Sequence, residues 1–579
     1  MFLWAMNARA EIRLPAQMSE NMVLQQQTEA NLWGWAEAGE SLSVTTSWDK
    51  TKYNATADAT GRWIVTLHTP KGGFEEQSIT ISTGQQKVCL DHVLIGEVWL
   101  CSGQSNMEMT VNGFMNCAVE GSAQDIAEAI DWKGRIRYLT VPRTTAFAPL
   151  DSVAGTWQKC MPSTVGGFGA VGYYFAQNLT RNLQVPVGII NNAWGGSTVE
   201  GWLPKEIIAE LGYPTDEETI RQKFGMEMLF PMIMYNGQFW PIRDYTVKGL
   251  LWYQGCSNTN FADTRMDYAN RLLKMVNHWR KVKRQPDMPV YQMMLAQYGN
   301  GKPEEIEFPI LREQQMRAAE ADSLVYCGSI LDVFVPHEIN QIHPSNKRIV
   351  GRRLSYMALA NTYKIKGFAK EPLKYSGYEI DGNEIILSFS NFNEVGGLGR
   401  IYEIKGVEIC GADLVWHEAD VKTDPYGNTI KVSSPEVEYP VAVRYGWRNF
   451  MECTLVGANG LGGYPFRTDR LLEGEIPVAN EAIEPDGPFE GVWTGRLTME
   501  RSELDLPIRI TMKKMSDGSW TCVFNDEPKT VKVRGQKAKI ADLIINGHSM
   551  EGTLSIHEAG NAVLNLLNRF DIPLTKDIE

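Results

Sequence analysis

Residues 96–109, GEVWLCSGQSNMEM, form an apolar run that leads directly into a polar turn with a serine at its tip. The run at 95–101 predicts a buried β-strand, and Gly103 allows the backbone to turn sharply after it. Ligand sites in α/β sheets lie beyond the carboxyl ends of the strands. Ser105 is therefore a candidate functional residue.

Four further apolar runs have the length and composition of strands, and they lie at 185–191, 248–254, 290–295 and 323–331. Apolar residues spaced three to four apart at 171–179 and 268–279 predict amphipathic helices between them. Strands that alternate with helices indicate an α/β fold with a mostly parallel sheet covered by helices on both faces. We assign this region to residues 94–361.

The flanking regions have a β-type pattern of short alternating runs separated by turns. We predict five parts around the α/β region: a possible truncated signal segment at 1–10, β-sandwich-like domains at 11–93 and 362–472, a Pro- and acid-rich linker at 473–488, and a small β-domain at 489–579.

Charge and composition exclude several classes of function. The 579 residues carry a formal net charge of −13, which does not favour nucleic acid, and no apolar stretch is long enough for a membrane span. The start, MFLWAMNARA, resembles the end of a signal peptide and predicts export to the periplasm or the medium. The nine scattered cysteines indicate neither a metal site nor a disulfide scaffold, so a cytoplasmic location stays open.

A serine nucleophile needs a base within hydrogen-bond reach. Three histidines lie in the α/β region, and His278 falls within a predicted helix. His337 and His343 lie in the loop after the last predicted strand. Pro344 and the following helix fix the position of His343, which is therefore the predicted catalytic base.

Ester hydrolysis also needs donors for the oxyanion of the transition state. Gly195 and Gly196 follow the second predicted strand, and Asn258 follows the third. The GFGAVG sequence at 167–172 lacks the preceding strand and the later acid of a dinucleotide site. We therefore predict a Ser–His hydrolase without metal or organic cofactor.

The motifs around these residues resemble those of the sialate O-acetylesterase family in the SGNH hydrolase superfamily. They are GQSNM at 103–107, NNAWGGS at 191–197, YNGQFWP at 235–241, KGLLWYQGCSN at 248–258 and HPSNK at 343–347, with VGRRL at 350–354, MSENMVLQQ at 18–26 and YPFRTD at 464–469. The resemblance implies a flavodoxin-like SGNH fold, Ser105 as nucleophile and His343 as base and acid. It further implies an oxyanion hole formed by the Ser105 N–H, Gly196 and Asn258.

Two positions depart from the family pattern. Family members commonly have a carboxylate where this chain has Cys256, and an aspartate shortly before the histidine where this chain has Asn340 and Gln341. The third triad member is therefore open among Asp332, Glu338 and a backbone carbonyl, and a Ser–His dyad also fits. A Cys256 nucleophile is disfavoured because no histidine is near it in sequence.

The predicted function is a carbohydrate O-acetylesterase whose substrate class, implied by the resemblance, is O-acetylated sialic acid. Acetylxylan or another plant glycan is the alternative, and a catalytically weak carbohydrate-binding protein is the second. Trp202 and Trp240 are the predicted sugar-contacting residues. The sequence indicates neither the oligomeric state nor whether the C-terminal domain binds glycans or acts as a spacer.

Overall fold

The computed structural model describes residues 11–399, 403–423, 429–475, 489–499, 504–516, 518–534, 537–545, 548–558, 561–566 and 570–577. The predicted signal segment 1–10 and most of the predicted linker at 473–488 lie outside the described residues.

Six short strands precede the α/β region. They are β1 Val23–Gln25, β2 Glu29–Trp35, β3 Ser41–Thr46, β4 Lys52–Thr56, β5 Arg62–His68 and β6 Gly73–Ser82. Buried and more exposed residues alternate along β3 and β5, as the period-two sequence pattern predicts. Strand β2 pairs with β5, and β3 pairs with β4 and β6, all antiparallel.

The 17-residue strand β7, Lys87–Gly103, connects this β region to the α/β sheet. Its first part pairs antiparallel with β6, and its last residues pair in parallel with strands of the α/β region. The predicted boundary between residues 93 and 94 thus falls within one continuous strand.

The α/β sheet contains the five predicted strands. They are β7, β10 Val187–Ala193, β11 Gly249–Tyr253, β12 Val290–Met293 and β13 Val325–Gly328, and the sheet also contains β8 Ile136–Thr140 and β9 Trp157–Lys159. The order is β13-β12-β11-β7-β10-β8-β9, and all neighbours are parallel except β8 and β9. Because β10 and β11 flank β7, the loops that follow all three strands meet at one edge of the sheet.

Helices cover both faces of this sheet. The nine α-helices are α1 Ser105–Glu108, α2 Ser122–Glu128, α3 Ala170–Leu183, α4 Lys205–Glu210, α5 Glu217–Lys223, α6 Ala262–Met266, α7 Tyr268–Lys283, α8 Glu307–Ala321 and α9 Lys347–Asn361, counted over the described residues. Leu251 and Tyr253 share an apolar core with α3 and α9, whereas Leu250 and Trp252 belong to the core that contains α7 and α8. The pleat of β11 thus places its alternate side chains in two cores.

The remaining described strands are mostly antiparallel. They are β14 Tyr375–Asp381, β15 Glu384–Phe389, β16 Val407–Cys410, β17 Trp416–Glu418, β18 Asp420–Thr423, β19 Thr429–Ser433, β20 Ala442–Tyr445, β21 Phe466–Arg467, β22 Gly491–Met499, β23 Leu504–Lys514, β24 Trp520–Phe524, β25 Glu527–Lys529, β26 Val531–Arg534, β27 Lys537–Ile545, β28 His548–Glu558, β29 Asn561–Leu566 and β30 Phe570–Lys576. Strands β22–β30 form one nine-stranded sheet with its own apolar core.

The described residues divide into two compact units. The first contains the chain up to Tyr375 together with Asn391–Gly406 and Arg444–Arg467. The second contains Ser376–Ser390, Val407–Val443 and the chain from Thr468 onwards. The predicted 362–472 domain contributes to both units, and the division of the sequence into six parts stays a prediction. In the described part of the chain, no helix is both long and apolar enough to cross a membrane.

Candidate active site

Ser105 begins α1 directly beyond the carboxyl end of β7. Gly103 has a φ of +135°, and a Cβ there would lie 2.3 Å from the carbonyl oxygen of Tyr253, so only glycine fits. The backbone N–H of Gln104 donates to the same carbonyl at 3.0 Å, and its Oε1 accepts the N–H of Gly255 at 2.8 Å. These contacts fix the turn against β11 and set Ser105 at the edge of the sheet.

His343 lies next to Ser105, with 2.8 Å between Nε2 and Oγ. The imidazole is partly buried and meets the Phe114 ring edge-on, with ring centroids 5.3 Å apart. Burial, and secondly the positive charge of Lys347, lower the pKa of His343 to about 4. Above that pH the ring is neutral and can accept the Ser105 proton on Nε2 while its own proton stays on Nδ1.

Hydrogen bonds to the backbone hold the loop that carries His343. Asn106, next to the serine, donates from Nδ2 to the carbonyl of Ile342 at 3.0 Å. The Cys117 thiol lies 3.1 Å from the His343 carbonyl, and the His343 N–H donates to Oε1 of Gln341 at 3.2 Å. The loop is thus tied to the helix of the nucleophile.

Neither of the carboxylates predicted as a third triad member hydrogen-bonds to His343. Asp332 forms a bidentate ion pair with Arg353, with both N–O distances at 2.6 Å. Glu338 accepts the backbone N–H of Ser345 at 3.1 Å. Because these partners hold both carboxylates, the structure does not bring Asp332 or Glu338 to the imidazole, and Nδ1 has no hydrogen-bond partner among the described residues.

The glycine loop after β10 lies against the nucleophile. A Cβ built on Gly195 would lie 3.3 Å from Cβ of Ser105, 2.9 Å from Oε2 of Glu108 and 3.2 Å from Nη2 of Arg143. The Gly195 N–H donates to Glu108 at 2.8 Å, and Arg143 pairs with the same carboxylate at 2.6 and 2.7 Å. Gly196 has a φ of +79°, and its N–H has no acceptor among the described residues. That N–H is therefore free to donate to a bound group.

Asn258 lies in the loop after β11 and is fully buried. Its Oδ1 accepts the N–H of Val199 at 3.1 Å and the side-chain amide of Gln254 at 2.8 Å. These two donors fix the orientation of the amide. Nδ2 carries two N–H groups, and its described acceptors, at 3.0 and 3.3 Å, both belong to the carboxylate of Glu200.

Behind Asn258, Glu200 is part of a buried ion pair. Arg271 of α7 donates from Nη1 to Glu200 at 2.7 Å, and both side chains are less than a tenth exposed. The same guanidinium contacts Tyr213 at 3.0 Å and Asp267 at 3.1 Å. Glu200 thus orients the Asn258 amide, and Arg271 of α7 holds Glu200 in place.

The structure corrects one of the predicted sugar contacts. Trp202 is fully buried, donates to Oγ of Ser197 at 3.1 Å and packs edge-on against Trp252, so its ring presents no face on which a sugar could stack. Trp240 is partly exposed, and the guanidinium of Arg243 covers its ring at 4.0 Å.

Cys256 does not have the properties of a nucleophile. It is buried, and burial raises the pKa of its thiol to about 12. None of the nine cysteines, all of which lie in the described residues, forms a disulfide. Within the described ranges, no group of three or more His, Cys, Asp or Glu residues is arranged to hold a metal ion.

Several residues at the site escaped the sequence reasoning. Asn106 belongs to the serine motif and Glu108 follows it directly, Lys347 belongs to the HPSNK motif, and Glu200 follows the glycine loop. Because these residues lie in or next to the motifs, the sequence offered a signal by which they could have been found. Arg143, in contrast, lies beyond β8 outside every quoted motif, so nothing in the sequence points to it.

Residues 95–354 match the family described as "Carbohydrate esterase, sialic acid-specific acetylesterase", and this range contains Ser105, Gly196, Asn258 and His343. The α/β region of the chain is therefore similar to this acetylesterase family. The proteins to which the chain is similar include the sialate O-acetylesterases of Rattus norvegicus and Homo sapiens, to each of which it is 25% identical. These matches cover 75% and 77% of this chain, and 89% and 90% of the two relatives.

A solved structure agrees with the sequence comparison. A carbohydrate acetylesterase from Xanthomonas citri is 29% identical to this chain and superposes with a TM-score of 0.69. The match covers 79% of this chain and 100% of that chain. The protein is therefore an esterase with an α/β sheet and additional β-rich parts.

Proposed function

We propose that this acetylesterase releases acetate from O-acetylated sialic acid, with Ser105 as the nucleophile and His343 as the general base and acid. The observation that carries the proposal is the 2.8 Å contact between Ser105 Oγ and a neutral, partly buried His343 Nε2 at the carboxyl edge of the sheet. The order of these groups at the strand ends also supports an SGNH-type, flavodoxin-like fold.

In the first half of the reaction, Ser105 Oγ attacks the acetyl carbonyl carbon and its proton passes to Nε2 of His343. The carbonyl oxygen becomes an oxyanion. We assign its stabilisation to the N–H groups of Ser105 and Gly196 and to one N–H of Asn258. The tetrahedral intermediate then collapses, the C–O bond to the sugar breaks, and the sugar oxygen takes the proton from the imidazolium.

In the second half, water attacks the acetyl group on Ser105 and gives its proton to His343. The new tetrahedral intermediate expels Ser105, which recovers its proton from the imidazolium, and acetate leaves. His343 must be neutral at the start of each half. Its low pKa keeps it neutral over the whole neutral range.

The position of Arg143 supports the proposal that the substrate is anionic. Its guanidinium lies beside Gly195 and Ser105, and its side chain is about half exposed. Arginine suits the planar recognition of a carboxylate such as that of sialic acid.

The pairing of Arg143 with Glu108 favours a second candidate substrate, a neutral acetylated glycan such as acetylxylan. The bidentate pairing with Glu108 already neutralises Arg143, which leaves little net charge to attract a sialic carboxylate. Export of the enzyme is part of the proposal and rests on residues 1–10, which lie outside the described residues.

The test is acetate release from O-acetylated sialic acid and from acetylated xylan by the wild type, Ser105→Ala and Arg143→Met. We expect Ser105→Ala to abolish release, and Arg143→Met to lower kcat/KM on the sialic substrate while xylan turnover changes little. Equal loss on both substrates, or a preference of the wild type for xylan, refutes the sialate assignment. No release by the wild type from either refutes catalysis on these esters and leaves glycan binding as the function.

A further inference from the structure

The proposed dyad poses a structural question, and the following inference rests on the proposed function. His343 has no carboxylate on Nδ1, yet its ring must stay aligned with Ser105 throughout the reaction. A group other than a carboxylate must therefore hold the loop. Lys347, four residues after His343 and fully buried at the start of α9, is the candidate.

Lys347 reaches the catalytic loop through one intermediate residue. Its Nζ donates to Oδ1 of Asn106 at 2.5 Å, and Nδ2 of the same amide donates to the carbonyl of Ile342 at 3.0 Å. Asn106 is fully buried. Its orientation follows from its partners, because a lysine supplies a donor and a backbone carbonyl can only accept. The lysine thus fixes the amide that fixes the residue before His343.

The surroundings of Lys347 contain little negative charge. The groups that face it are the thiols of Cys117 and Cys256, the carboxylate of Glu338 and the imidazole of His343. Burial raises the pKa of both thiols, so they stay neutral. Glu338 is the one carboxylate among these groups, and Ser345 already binds it.

We propose that Lys347, acting through Asn106, is the positioning residue that holds the His343 loop against Ser105 in place of an orienting carboxylate, and that it serves catalysis best without a charge. Both charge states can donate to Asn106. A charged lysine, however, opposes the imidazolium that forms when His343 takes the serine proton. The neutral lysine keeps the hydrogen bond without this repulsion.

The pH dependence of the reaction follows from this assignment. Burial lowers the pKa of Lys347 to about 7, whereas that of His343 is about 4. The rate should therefore rise with pH as Lys347 loses its proton, and the acid limb of kcat/KM should lie near pH 7. A dyad governed by His343 alone would place that limb near pH 4.

The experiment measures kcat and KM for 4-nitrophenyl acetate from pH 4 to 9 with the wild type, Lys347→Met and Lys347→Arg. Methionine removes both charge and donor. We expect a roughly tenfold lower kcat at high pH, an unchanged KM and an acid limb moved down by more than about one pH unit. Arginine stays charged, so its rate should remain low and lack the rise near pH 7.

Lys283→Met is the matched control. Lys283 is also buried, with its pKa lowered to about 7, but it donates to the carbonyl of Tyr245 away from the site. This variant should keep the wild-type acid limb. A shift as large as that of Lys347→Met would show that any lost buried lysine has the effect, and would overturn the proposal.

Circular dichroism would reveal whether the variants fold. If they do not, the pH profile of kcat/KM for the wild type still tests the inference. An acid limb near pH 4, or variants that fold and keep the wild-type profile, overturns the role of Lys347. Either result leaves the proposed function intact, because activity persists. Absence of ester hydrolysis by the wild type overturns the proposed function instead.

Discussion

Replacing Glu200 with glutamine tests how the Asn258 amide is held. The carboxylate accepts Arg271 Nη1 at 2.7 Å on Oε1 and Asn258 Nδ2 at 3.0 Å on Oε2. Glutamine has the same shape but only one acceptor oxygen. The charged guanidinium should take that oxygen, so Asn258 would then face the NH₂ group and turn away from it.

The magnitude follows from burial and from the partners that remain. Breaking a buried ion pair costs about 3–5 kcal/mol, and we expect the lower end because Arg271 keeps Asp267 at 3.1 Å. A fully lost oxyanion donor costs about 10²–10³ in kcat. Because Asn258 keeps two fixed contacts at Oδ1, we expect a loss of roughly ten- to a hundredfold with KM nearly unchanged.

The assay combines urea unfolding with steady-state acetate release, and Asp322→Asn is the matched control. Asp322 pairs with Arg280, a second buried arginine of α7, away from Ser105. Both variants should lose comparable stability, and Glu200→Gln alone should lose kcat. If Glu200→Gln unfolds at lower urea yet keeps the wild-type kcat, or if both variants lose kcat equally, Asn258 does not depend on Glu200 for catalysis.

Two further substitutions separate strain from chemistry. Gly196→Ala and Gly212→Ala both place alanine at a positive φ (+79° and +77°), which costs about 1–2 kcal/mol in each, and the added Cβ at 196 also lies 3.0 Å from Cγ of the flexible Met228 side chain. Only Gly196→Ala should lower kcat in acetate release, and equal kcat values for both would speak against an oxyanion role for Gly196. Asp332→Asn breaks the ion pair with Arg353 and should lower stability by about 3 kcal/mol in urea unfolding, while kcat stays within about threefold. A kcat loss of 10³ or more would mean that this carboxylate acts on His343 after all.

The apolar runs of the sequence predicted the sheet because burial on both faces leaves an unambiguous signal. Leu250 to Tyr253 fill two cores at once, so the strand reads as continuous apolar sequence. Strand β8 escaped prediction because Arg137, fully buried within it, looks like a surface residue in the sequence. Its guanidinium is accommodated by Asn21 and Glu76, which no local pattern connects to it.

The sequence predicted the site residues because ester hydrolysis needs particular residue types, namely a serine, glycines and a histidine, and these follow the predicted strands. The residues behind them were harder to predict. Glu200 meets Arg271 across 71 positions of sequence, and Lys347 meets Asn106 across 241. Trp202 was mistaken for a sugar contact because composition does not distinguish a buried indole from an exposed one.

The most direct test of the central claim is covalent labelling of the folded enzyme with a fluorophosphonate, followed by mass spectrometry of the peptides. The wild type should carry one label, on Ser105, and His343→Ala should label at least about a hundredfold more slowly, because the hydroxyl then lacks its base. Labelling on another residue, or an undiminished rate in a folded His343→Ala protein, would contradict the Ser105–His343 dyad.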